Sequence, residues 1–225
     1  TGIQILRAAD IATSPDWSVV SSVATTANIA AGGSVGSLSV AQYYNANPAL
    51  NAWFMAFYPS GTMGTGKVSW TITGQEDIIV APSVSAGNKT IPVNPTTLAF
   101  AHKLTQLQFE VLAASATAIT QWGTVSSIKV NADTALELTL STNALASASS
   151  PVNTDLTISG TFPVTLTTSA AAVGVIMVKP KDALNTIKVT TANSPEQTVS
   201  ISGLTTTVAG SAHKITLTFT ELGGI

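Results

Sequence analysis

The stretch "GTMGTGKV" (61–68) comes within one residue of the phosphate-binding pattern G-x-x-x-x-G-K-[ST]. Gly61, Gly66 and Lys67 stand where that loop needs them, but Val68 replaces the hydroxyl that would hold Mg²⁺. The pattern also needs a helix to follow, with its first amides facing the phosphates. Here "KVSWTIT" (67–73) alternates Val68, Trp70 and Ile72 with Ser69, Thr71 and Thr73, which is the period of a strand. A glycine-rich hairpin connection between strands 52–59 and 67–73 is the expectation. "GGSVG" (32–36) matches the G-x-S-x-G elbow that presents a nucleophile, here Ser34. An acid and His102 follow in the chain, so order alone permits a triad. An elbow requires strand, turn and helix, whereas "SLSVAQYY" continues with Leu38 and Val40 alternating, so a flexible glycine loop is expected.

Glu76 and Asp77 are the only adjacent acidic pair. Strand neighbours point to opposite faces, so the two cannot form the facing carboxylates of glycoside hydrolysis. They read as turn-end carboxylates. His102 and His213 fall on different expected strands, and neither has a second histidine at metal-ligand spacing. These residues define no catalytic group, no metal site and no cofactor. Asn88-Lys89-Thr90 fits the N-glycosylation pattern, which has meaning only in a eukaryotic secretory setting.

The elements that would position such residues are strands almost throughout. Only 9% of the 225 residues are charged, against about 25% in ordinary soluble domains. Ser, Thr, Asn and Gly take their place, a polar and weakly charged surface that suits an extracellular protein. The net charge of −2 gives nothing basic enough to track nucleic acid. There is no cysteine, hence no disulfide, thiolate metal site or thiol nucleophile. The longest strongly apolar run, "VGVIMV" (173–178), is far shorter than the roughly 20 residues of a membrane-spanning helix. The chain opens "TGIQIL", with neither Met nor a signal-like apolar stretch, and reads as a processed or trimmed form.

Period-two runs are expected at "AWFMAFYP", "KVSWTIT", "DIIVA", "LELTL", "PVTLTT", "VGVIMVKP", "NTIKVTT", "QTVSIS" and "KITLTFT". Turn-rich clusters separate them, the longest being 81–97 and 144–153. Many short strands between turn signals argue a β-sandwich. No long amphipathic helix is expected, and Pro48 ends any helical turn in "VAQYYNANPAL" (40–50). "AASATAITQWG" (113–123) is small and polar, and reads as a boundary between an N-terminal domain (1–115) and a C-terminal one (116–225). In "LAFAHKLTQLQFEVLA" (98–113), Leu98, Phe100, His102 and Leu104 share one parity, and Leu107, Phe109 and Val111 share the other. A β-bulge or a bend between two sheets accounts for the switch. His102 is then expected to pack with the apolar set, in a strand that closes the first domain.

Four strings in fixed order resemble the fimbrillin family of Bacteroidetes surface proteins. They are Tyr58-Pro59, Gly74-Gln75-Glu76-Asp77, Phe100-Ala101-His102-Lys103-Leu104 and Leu107-Gln108-Phe109-Glu110-Val111. "AGSAHKITLTFTELGG" resembles the family's closing strand, and "GIQILRAAD" its first strand followed by an Arg-Ala processing site. The resemblance implies two transthyretin-like β-sandwich domains and no enzymatic activity. It implies export as a lipidated precursor and display on the outer membrane. The partners it implies are other pilus subunits, with a host or bacterial surface receptor for an adhesive one. An arginine-specific protease would cut between Arg7 and Ala8, the first strand would leave, and a strand from another subunit would take its place.

The physics of such an exchange is that of β-augmentation: a sandwich lacking a strand exposes unpaired backbone and open core, and an alternating segment satisfies both. "GIQIL" offers Ile3 and Ile5 on one face; Ile215, Leu217 and Phe219 share a face in the last run. Stalk subunits of the family carry a further segment beyond that closing strand, whereas this sequence stops at "TELGGI". On the resemblance, "HKITLTFT" is itself the donor, or a tail is missing, or the subunit accepts a strand without giving one. A surface module that binds carbohydrate or protein without polymerising is the other reading, with Tyr43, Tyr44 or Trp53 as contact residues.

Overall fold

A computed structural model describes residues 2–29, 35–94, 96–150, 152–180, 186–201, 204 and 206–222. The chain opens with β1 (Ile3–Arg7), β2 (Thr25–Ile29), β3 (Val35–Leu38), β4 (Ala52–Tyr58) and β5 (Thr62–Gly64). β6 (Lys67–Thr71), β7 (Ile79–Gly87), β8 (Ala101–His102) and β9 (Thr105–Ala113) follow. After a short helix α1 (Ala116–Trp122) come β10 (Thr124–Asp133), β11 (Ala135–Thr139), β12 (Ala144–Ser147), β13 (Asn153–Thr157) and β14 (Ser159–Gly160). β15 (Val164–Thr165), β16 (Ala171–Val178), β17 (Thr186–Thr191), β18 (Ser194–Ser200) and β19 (Ala212–Phe219) complete the fold. The all-β expectation is met, and no helix among the described residues is long and apolar enough to cross a membrane.

Alternation explains why these segments are strands. In β9, Thr105, Leu107, Phe109, Val111 and Ala113 are buried while the residues between them are wholly or partly accessible. The chain forms two compact units, each with two sheets. The first comprises Thr1–Thr71, Asp77–Lys103 and Ala135–Ser150. Its sheets are β3-β2-β1-β4-β7-β8 and β12-β11-β6-β5, and Phe57 of one meets Trp70 of the other edge-on, centroids 5.6 Å apart. The second comprises Ile72–Glu76, Leu104–Thr134 and Pro151–Ile225. Its sheets are β14-β16-β9-β19 and β13-β10-β17-β18, with β15 also on β10. Leu107, Phe109 and Ile176 from one sheet pack with Ile128, Val130 and Ile187 from the other.

Three expectations need correction. The two units do not divide at residue 115. β9 pairs with β16 and β19 and so belongs to the second unit, while β11 comes back to pair β6 in the first, with β12 on its other side. The segment 98–113 is thus not one strand closing a first domain: β8 lies on β7 and β9 in another sheet, and the parity switch between Leu104 and Leu107 follows a passage between sheets. The segment 113–123 is not a bare linker. Ser115 caps α1 by accepting a hydrogen bond from the Ala118 N–H (3.1 Å), and Gly123 ends it with φ 71°. Trp122 then lies edge-on to Phe219 and donates its indole N–H to the Thr220 carbonyl (2.7 Å). Strand also reaches further than expected into the turn-rich 81–97 and 144–153, since β7 runs to Gly87 and β12 covers 144–147.

Candidate functional site

β1 is an interior strand, antiparallel to β2 on one side and to β4 on the other. Ile3 to Ile5 face Ala27 to Thr25, and Gln4 to Arg7 face Phe57 to Phe54. Residues directly opposite on antiparallel strands point the same way. Phe57 points at Trp70 of the second sheet. Met55 shares its parity, and Leu6, opposite Met55, therefore points into the space between the sheets, fully buried. Ile3 and Ile5 share the other face, as their spacing implies. They form a smaller cluster with Ala27, Ala56 and Ala81, against which Phe54, Leu98 and Phe100 pack. The strand thus fills two apolar layers at once.

Arg7 ends this strand and is the chain's only arginine. Its guanidinium is largely enclosed, with 18% of the side chain accessible. Nη2 donates to both carboxylate oxygens of Asp10 (2.9 Å each) and to the Tyr43 carbonyl (2.8 Å). Nε donates to Asp10 Oδ1 (3.3 Å) and Nη1 to Gln42 Oε1 (3.2 Å). The Phe54 ring lies under the group, 5.6 Å from Cζ to centroid. Ala8 is buried and donates its N–H to the Trp53 carbonyl (3.3 Å).

At the other terminus β19 is the edge of its sheet, parallel to β9. Ile215, Leu217 and Phe219 point inward and are buried. Its second edge has no strand partner among the described residues. A groove of about 560 Å³ opens beside it, lined by Trp122, Val189, Val199, Ile201, Leu217 and Phe219 among others.

The remaining candidates resolve into structural roles. "GTMGTGKV" does form a hairpin, but between β5 and β6; β4, the expected partner of β6, lies in the other sheet. Gly66 turns it with φ 70°, and a Cβ there would sit 2.6 Å from the Ser18 carbonyl oxygen. Lys67 pairs with Glu137 at 2.8 Å. Glu76 closes its own turn, its carboxylate accepting from the Thr73 N–H (2.7 Å), the Thr73 hydroxyl (2.8 Å) and the Gln75 N–H (3.2 Å). Partial burial pushes its pKa up, but those hydrogen bonds outweigh burial and hold it below the ordinary carboxylate value. Lys103 donates to the Asn143 carbonyl (2.8 Å), and burial lowers its pKa. Ser34 lies outside the described residues. His213 is half-buried beside the β19 groove. Among the described residues no three His, Asp or Glu side chains gather as a metal site would require. Tyr43 is the most exposed large apolar side chain among the described residues, at 78%; Tyr44 donates to the Ala86 carbonyl and Trp53 to that of Ile11.

His102 is not packed with the apolar set. β8 ends its sheet, so nothing covers the ring, which is 57% accessible and bonds Asp77 Oδ2 through Nδ1 (2.8 Å). Two of the strings that carry the family resemblance therefore meet here as an exposed pair. His102→Ala is expected to cost at most about 1 kcal/mol. Chemical denaturation measures this, and loss of folding would show that the ring does more than hold a surface pair.

Two solved structures resemble this architecture over nearly its full length. A candidate cell adhesion protein from Bacteroides uniformis is 19% identical with a TM-score of 0.68, the match covering 98% of this chain and 86% of that one. Another, from Bacteroides ovatus, is 16% identical with a TM-score of 0.63, covering 97% and 81%. No curated protein matches the sequence. The likeness is one of fold and defines a class, all-β chains of this architecture. Within it the model of the fimbrillin-like family matches residues 5–225, and the chain belongs to that family.

Proposed function

We infer that the protein is a non-enzymatic cell-surface subunit of a fimbria, structural or adhesive. Assembly is by β-strand exchange after the N-terminal strand is removed at Arg7. One observation carries this reading: an interior strand, which a cut after Arg7 would leave held only by non-covalent pairing, ends on the chain's sole arginine. Removing it would leave β2 and β4 with unpaired facing edges and both of β1's apolar layers open. An incoming strand must then run antiparallel to both neighbours and present Leu6-like and Ile5-like residues on opposite faces. β19, an edge strand, is the donor candidate of this chain: Ile215, Leu217 and Phe219 share one parity and would fill one of the two layers, while Lys214, Thr216 and Thr218 on its other face would not fill the second. Family membership, and the adhesion role suggested for the similar Bacteroides proteins, support a surface location. Export through a lipidated precursor and display at the outer membrane complete the proposal, with other subunits and a surface receptor as partners. Glu76, Asp77 and His102 serve the fold, and the reading needs no catalytic group.

The test is microscopy of the native cell surface with labelling for this protein, followed by mass spectrometry of the labelled material. Filaments built of chains that begin at Ala8 are the expected result. Labelled monomers without filaments, or filaments of chains that retain β1, would overturn the reading.

A further inference from the structure

We propose that Asp10, Gln42 and Tyr43 form a latch that closes the processing site, so that cleavage after Arg7 requires the 39–45 loop to open first. The inference rests on the reading of Arg7 as that site. A protease specific for arginine must take the guanidinium into its own pocket and hold the flanking backbone extended and free of other strands. Neither condition is met here. The guanidinium is committed to Asp10, Gln42 and the Tyr43 carbonyl, with Phe54 beneath it. A bidentate pair with a carboxylate, itself only 12% accessible, is among the stronger hydrogen-bonded arrangements a side chain can make.

The backbone is held as well. Arg7 lies in register with Phe54, Ala8 bonds Trp53, and Ile11 exchanges two backbone hydrogen bonds with Asn51 (3.2 Å each). The scissile bond thus sits between two residues that are both paired with β4.

The side-chain part of the latch is held by the 39–45 loop. Gln42 bonds Arg7 while its amide reaches the Ala24 and Val40 carbonyls (3.4 and 3.3 Å). Asn45 reaches Asp10 Oδ2 (3.4 Å). Moving the loop strips the guanidinium of Gln42 and Tyr43 and loosens Asp10; until then the arginine side chain cannot turn outward. The latch confines cutting to an opened state. A folded subunit would keep its own strand until something, such as a docking partner or the protease's own grip, displaces the loop.

A single arginine makes the test clean, because an arginine-specific protease reports on one bond of the full chain. Cleavage is followed by mass at fixed protease, for the wild type, Asp10→Ala, Asp10→Asn and Gln42→Ala, with circular dichroism confirming that each folds. A synthetic peptide of residues 1–16 gives the rate for an open site. The wild type is expected to be cut at least about a hundredfold more slowly than the peptide, since only its open fraction is a substrate. Asp10→Ala is expected to speed cutting about ten- to a hundredfold, the worth of a charge-assisted hydrogen-bond pair. Gln42→Ala is expected to do so by a smaller factor, and Asp10→Asn to fall between. Wild-type cutting at the peptide's rate would overturn the latch. So would folded Asp10→Ala and Gln42→Ala proteins cut no faster than wild type, which would assign the protection to pairing with β4 alone. Native filaments built of uncut chains would instead overturn the processing reading and leave the measured rates intact, so the two failures are distinguishable.

Discussion

A polypeptide of residues 1–115 made by itself is expected to remain unfolded, and so is one of residues 116–225. The first would carry β6 without β11, leaving the second sheet of its unit with only the β5–β6 hairpin. Leu136 and Leu138, both fully buried and in register with Trp70 and Val68, would be missing. The second would lack β9, the strand between β16 and β19. Leu107, Phe109 and Val111, all at most 1% accessible, would leave its core together. Each such side chain contributes about 1.5–3 kcal/mol on burial, and three of them rival the roughly 5–15 kcal/mol that a whole domain has to spare. Circular dichroism and thermal melting measure the outcome. A cooperative transition from either fragment alone would show that the interleaving of the units is not needed for folding.

Leu6→Ala is expected to destabilise the full chain by about 2–5 kcal/mol, as truncation of a fully buried leucine does when its site cannot collapse. Leu6 sits on an interior strand between the Met55-bearing β4 and β2, both fixed in their ladders, so there is little room for relaxation. The same burial would govern the proposed exchange. A chain that begins at Ala8 is expected to bind a synthetic peptide of residues 1–7 and to regain stability, read as a rise in the denaturant midpoint. A peptide carrying Leu6→Asp is expected to fail, because it would place a carboxylate between the sheets without a partner. Equal binding by both peptides would mean that the vacated slot does not read side chains, and that backbone pairing alone drives insertion. The measurement tests the chemistry of the slot without requiring a filament.

How much of this was legible beforehand differs from residue to residue. Ile215, Leu217 and Phe219 declare their shared face by period two, and the structure buries all three. The hairpin at "GTMGTGKV" was readable because a strand pattern follows Lys67 where a phosphate loop needs a helix. α1 carries a local signal: Ser115 ahead of the segment and Gly123 behind it are a cap and a stop. Leu6 could not be placed so easily. Its parity opposes Ile3 and Ile5, and only a strand covered on both faces buries all three. His102 misled for the opposite reason, since parity placed it with Phe100 and Leu104 although its sheet ends at β8 and leaves the ring uncovered.

The latch around Arg7 was beyond any local pattern. Arg7 to Asp10 is a short step, but Gln42 and Tyr43 arrive from more than thirty residues away. By itself the sequence determined the strand-forming segments, the absence of thiol chemistry, the family resemblance and the arginine after the first strand. These follow from periodicity, composition and short motifs, which each residue carries with it. Tertiary structure alone decided that β1 is interior, that β9 and β11 cross between the two units, and that Arg7 is closed off. Those outcomes depend on which strands pair across long separations, and an alternating strand carries the same signal whichever neighbours it finds.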